Sequence, residues 1–149
     1  MATSVGAEAS IDRLVQSLLA LEHDAISAYD AVIERLDDAE AKGRIAEFRE
    51  DHARHVGVLE TMAKELGVQP NQTGDAKEML TTGKIKMANL MGDGAILKAM
   101  KTNEDDTVTV YERAKDHSEA KPETVAFFEK ALEDEKRHRA YMESAAEAT

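Results

Sequence analysis

No cysteine occurs in the chain, which excludes disulfides, thiolate chemistry and any metal site built on sulfur. Tryptophan is absent, aromatics make up only 4% of residues and prolines number two, so little favours a sheet or interrupts a helix. No apolar run approaches the ~20 residues needed to cross a bilayer. Basic residues are outnumbered 19 to 30 by acidic ones, leaving a formal net charge of −11. A surface of that sign repels phosphate, so neither nucleic acid nor an anionic membrane is expected as a partner. The opening MATSVGAEAS has neither the basic start nor the apolar core of a secretory signal. A soluble cytoplasmic protein is the expectation.

What is present is helix-forming. Apolar residues reach 42% of 149, enough for one domain with a sizeable core, and Leu, Ala, Glu, Lys, Arg and Met abound. Residues 1–9 read as a flexible tail and 10–146 as a single domain. Ser10 is a candidate N-cap for a first helix over 11–36, where apolar residues recur every three or four positions. Gly43 is expected to mark a short turn before a second helix over 44–66, closed by Gly67. After the loop GVQPNQTGD, a weaker helical stretch over 75–91 is broken by glycines. A third helix is expected over 95–117, and Pro122 opens a fourth over 123–146. Short first and last connections around a long middle one predict an all-α fold. It is a four-helix bundle of two antiparallel hairpins joined by a crossover with extra helix.

Each helix breaks its own apolar stripe at one level. Along the seam Ile45, Phe48, His52, His55, Leu59, Met62, Leu66, two histidines stand at core positions. In the last helix Glu135 and His138 interrupt Val125, Phe128, Leu132, Met142 and Ala145 in the same way. Glu22 interrupts the first helix, with Tyr29 seven residues on, and Glu104 interrupts the third, followed by Tyr111. The interruptions also repeat. EDHARH (Glu50–His55) and EDEKRH (Glu133–His138) share Glu, Asp, Arg and His at an offset of 83. EHDAISAY (Glu22–Tyr29) and EDDTVTVY (Glu104–Tyr111) share Glu, Asp and Tyr at an offset of 82. The chain thus reads as two copies of one hairpin.

A single core histidine is usually a hydrogen-bonded structural residue, and a single glutamate on a stripe often reaches out to solvent. Six coincident interruptions in two repeated hairpins call for another cause. Buried ionised carboxylates are costly unless paired or metal-bound, and carboxylate oxygen and imidazole nitrogen are ligands of divalent metals. The i, i+3 spacing of His52/His55 and Glu135/His138 puts each pair on one helix face. Glu22, His52, His55, Glu104, Glu135 and His138 are therefore the candidate metal ligands. An apo salt-bridge network is the competing reading. Asp51 and Asp134, four residues before His55 and His138, are candidates to orient an imidazole from outside the ligand set, or else solvent-facing acids. Tyr29 and Tyr111 read as core fillers bonded to a carboxylate, with a redox part as the alternative. His23 and His117 fall off the seams and read as surface residues, and Met62, Met100 and Met142 as packing.

This pattern resembles the ferritin-like superfamily, the rubrerythrin and bacterioferritin type of di-iron carboxylate proteins, over residues about 11–145. Those proteins order their ligands Glu, Glu-x-x-His, Glu, Glu-x-x-His, one element per helix. The corresponding positions here are Glu22, His52-x-x-His55, Glu104 and Glu135-x-x-His138. The resemblance implies a pair of iron ions (manganese or zinc as alternatives), with Glu135 bridging, Glu22 and Glu104 terminal, and one nitrogen each from His55 and His138. It further implies reaction with oxygen or peroxide, of ferroxidase or peroxidase type, in a homodimer. The departure is His52, which cannot bridge as a carboxylate does and leaves three carboxylates where the family has four. A non-catalytic bundle with a structural or mononuclear metal such as zinc is the alternative. With no cysteine there is no built-in electron-transfer module, so an outside reductant would be required.

Overall fold

The computed structural model describes residues 3–69 and 92–149. Within them lie four helices: α1 (Ile11–Arg35), α2 (Ala39–Leu66), α3 (Asp93–Ala114) and α4 (Pro122–Glu147). α1 pairs with α2 and α3 with α4, and the pairs meet through α1 against α3 and α2 against α4. The fold is the expected all-α four-helix bundle. The expected helical stretch over 75–91 lies outside the described residues.

Local chemistry explains the helix ends. The Ser10 hydroxyl accepts a hydrogen bond from the Arg13 backbone N–H at 3.3 Å and caps α1. α2 closes at Gly67, whose φ of 73° is left-handed backbone that glycine adopts without strain. Pro122 sits in the first turn of α4, where its missing N–H costs nothing.

Gly43, expected at the turn between the first two helices, instead lies one turn inside α2. The turn is at Leu36–Asp38. The Asp38 carboxylate accepts from Ala41 N–H at 2.8 Å, and Asp93 of α3 accepts from the N–H groups of Asp37 and Asp38, each at 2.9 Å. Those bonds outweigh the ~1 kcal/mol that a glycine costs within a helix. Gly43 and Gly57 are exposed helical positions where a Cβ would meet nothing within 4 Å among the described residues. Gly43→Ala and Gly57→Ala should each stabilise the protein by ~0.5–1 kcal/mol in urea unfolding. A loss of stability from either would contradict the open surroundings described.

The segment before α1 packs on α3 from Thr3 onward. Val5 is buried in the core, and the Arg113 guanidinium donates to the carbonyls of Thr3 and Val5 at 2.8 and 3.1 Å. The apolar interior divides into two clusters. One gathers Leu14, Leu18, Leu59, Val108, Tyr111 and Phe128, and the other Val32, Ile45, Phe48, Leu97, Met100 and Met142. On α2, α3 and α4 the interval between the clusters holds His52 and His55, Glu104, and Glu135 and His138. Apolar packing thus closes the bundle above and below a polar layer.

Candidate metal centre

All six candidate ligands are buried in that layer, none more than 2% exposed. Two groups of four donors each lie with their ligand atoms within 4.8 Å of one another. One is Glu22, His52, His55 and Glu135; the other is His52, Glu104, Glu135 and His138. His52 and Glu135 belong to both. They occupy the one ligand position at which the repeated hairpins differ, 83 residues apart.

The carboxylates face the imidazoles. Glu22 accepts from Nδ1 of both His52 and His55, the latter at 2.9 Å. Glu135 spans the layer. Its Oε1 lies 3.7 Å from Nδ1 of His55, and its Oε2 lies 3.5 Å from Nδ1 of His138 and 3.6 Å from Nε2 of His52. Among the described residues, two buried atoms in the layer have no hydrogen-bond partner: His52 Nε2 and Glu135 Oε1. Orphaned buried donors and acceptors are expensive in an apolar interior, and both belong to the shared residues. The donor set of carboxylate oxygen and imidazole nitrogen, with two of its atoms unsatisfied, fits a divalent cation.

The tyrosines cross between the hairpins. Tyr29 of α1 donates to Glu104 of α3 at 2.5 Å, and Tyr111 of α3 donates to Glu22 of α1 at 2.6 Å. Burial, reinforced by those carboxylates, pushes both phenols well above their usual range and keeps them protonated. The Thr107 hydroxyl adds contacts of 3.0 Å to Glu104 and 3.1 Å to Glu135.

The outer residues cross as well. Sequence spacing pairs Asp51 with His55 and Asp134 with His138, each on its own helix. The structure exchanges them: His55 Nε2 lies 2.8 Å from Asp134, and His138 Nε2 lies 2.8 Å from Asp51. An imidazole aimed into the core turns its far nitrogen toward the neighbouring helix, out of reach of a carboxylate one turn back on its own. Arg54 and Arg137 complete the arrangement. Each donates to both Asp51 and Asp134, over 2.9–3.0 Å. The Asp, Arg and His common to EDHARH and EDEKRH are therefore the parts of one brace between α2 and α4.

Electrostatics in the metal-free layer follow from burial set against these neighbours. For Glu22, burial opposes ionisation, but His52 and His55 overcome it and hold the carboxyl well below its usual range. Glu104 is likewise held low against burial by its bonds to Glu135 and His138. Glu135 goes the other way, pushed up to about 7 by burial and by the charge of Glu104. Burial disfavours the imidazolium form of all three histidines, yet carboxylates prevail. His55 rises to about 9, His138 to about 10, and His52 well above 6.5.

His23 and His117 do not join the layer. Both are half-buried rather than surface residues, and His117 Nε2 bonds to the Glu8 carbonyl at 2.9 Å. Arg54, Arg137 and Thr107 are the contacts that the sequence reading leaves out. The arginines carry a signal there, since both repeats keep them; Thr107 carries none, because Ala25 occupies its place 82 positions earlier.

Fold and site together define a four-helix bundle with a buried carboxylate–histidine centre able to hold metal. The chain belongs to the family described as a domain of unknown function, DUF2383, whose model matches residues 11–117. That match takes in Glu22, His52, His55 and Glu104 and ends before α4, which carries Glu135 and His138. No curated protein and no solved structure matches the chain.

Proposed function

We propose that this bundle binds two divalent ions, iron or manganese, and acts as a ferritin-like oxidoreductase on dioxygen or peroxide. The observation that carries the reading is the pair of overlapping four-donor groups that share His52 and Glu135. Their unpartnered atoms, His52 Nε2 and Glu135 Oε1, are those a cation would satisfy.

Glu22, His55 and the near edge of Glu135 would hold one ion; Glu104, His138 and the far edge of Glu135 would hold the other. Ions of this kind, when bound, supply electrons to an oxidant. The protein's own part is to place charge and protons around them. Glu22 and Glu104 present ionised oxygens. Tyr29 and Tyr111 keep their hydroxyl protons and donate hydrogen bonds to Glu104 and Glu22 over 2.5 and 2.6 Å, which would orient those carboxylates toward the ions. The apolar clusters on either side exclude water and strengthen each of these interactions.

Anaerobic titration with iron(II), metal analysis and an oxygen challenge test the proposal. Two irons bound per chain and oxidised on exposure to oxygen are the expected result. The additional nitrogen of His52 favours a second reading, a single tightly held and oxygen-inert ion such as zinc. A chain that takes up no metal would reduce the layer to a hydrogen-bonded network that fixes helix register.

A further inference from the structure

The three imidazoles of the centre differ in how their nitrogens are used. His55 turns Nδ1 toward Glu22 and gives Nε2 to Asp134; His138 turns Nδ1 toward Glu135 and gives Nε2 to Asp51. Each therefore has one nitrogen for a metal and one fixed from outside. Among the described residues His52 has no such outer partner. Its Nδ1 contacts Glu22 Oε1, while its Nε2, buried and without a hydrogen bond, stands 3.8 Å from Glu104 and 3.6 Å from Glu135. Both nitrogens face the centre, one toward each group of donors, and the ring is fully buried.

We propose that His52 is a dividing ligand, giving Nδ1 to the ion held with Glu22 and His55 and Nε2 to the ion held with Glu104 and His138. It takes the place of a bridging carboxylate with an aromatic spacer. Filling both positions displaces both ring N–H protons of the imidazolium to solvent and leaves an imidazolate bound on both sides. An outer carboxylate that fixed one nitrogen would prevent this, and among the described residues His52 alone of the three has none. The inference rests on the two-ion reading above and adds to it the role of this residue.

Cobalt(II) is a suitable probe. In crystals of the cobalt-loaded protein, anomalous difference maps should show two peaks, each about 2 Å from a different nitrogen of His52. In two-step calorimetric titration, His52→Ala and His52→Gln should both weaken the two binding steps by about tenfold or more. His55→Ala and His138→Ala should instead each weaken one step. Two peaks with only one against His52, or a His52 variant that weakens a single step, would overturn the dividing role and leave the two-ion centre standing. A single peak, or none, would overturn both.

Discussion

Metal affinity is expected to climb steeply between pH 6 and 10, while the metal-free protein loses stability over the same interval. Bound metal needs neutral imidazoles and ionised carboxylates. In the metal-free layer at neutral pH, carboxylates hold His52, His55 and His138 as imidazolium, with the latter two losing their protons only near 9 and 10. Glu135, pushed up to about 7 by burial and by Glu104, is part-protonated there. Each proton displaced makes affinity rise roughly tenfold per pH unit until that group has titrated. Glu135 contributes first and the imidazoles later.

Stability of the metal-free form runs the opposite way. A group whose folded pKa is raised contributes fully below its unfolded value and loses that contribution as pH rises through the folded one. For His55 and His138 the loss therefore spans 6.5 to about 9 and 10, and for Glu135 it spans 4.5 to about 7. Glu22, Glu104, Asp51 and Asp134 have lowered values, so their contribution is present above the ordinary carboxylate range and falls away in acid. The metal-free melting temperature should peak between about pH 4.5 and 6.5 and decline toward pH 10. Manganese(II) at saturation should reverse the alkaline decline. Melting curves with chelator and with manganese check both signs, and a metal-free protein most stable at pH 9 would refute the charge assignment.

Residue spacing revealed most of the bundle because burial and helical periodicity are one signal. His52, His55, Glu104, Glu135 and His138 could be found as polar letters on apolar stripes, and all are buried at one level. Spacing along one helix is silent, however, on contacts made across helices. Asp51 four residues before His55 looks like its partner, yet the Asp51 carboxylate meets His138 across the bundle. Gly43 misled for a related reason. Glycine lowers helix propensity by only ~1 kcal/mol, and the turn is set by Asp38 and Asp93, the second of which is 55 positions away in sequence.

Those crossed contacts make a prediction that sequence neighbours would not suggest. Asp51→Ala should weaken by about 10–100-fold the binding step that His138→Ala weakens, and should spare the step that depends on His55. Asp134→Ala should do the reverse. Removing either carboxylate leaves an imidazole Nε2 buried without its acceptor, which costs ~1–3 kcal/mol in the metal-free protein. It also frees that ring to rotate away from the centre. Because Arg54 and Arg137 each contact both aspartates, losses in the double variant should not add: once one carboxylate is gone, the arginines no longer tie α2 to α4 through it. Two-step titration of the four single variants provides the comparison. If Asp51→Ala instead follows His55→Ala, its neighbour on α2, the brace does not cross the bundle in solution, and the repeated Asp, Arg and His act within each helix.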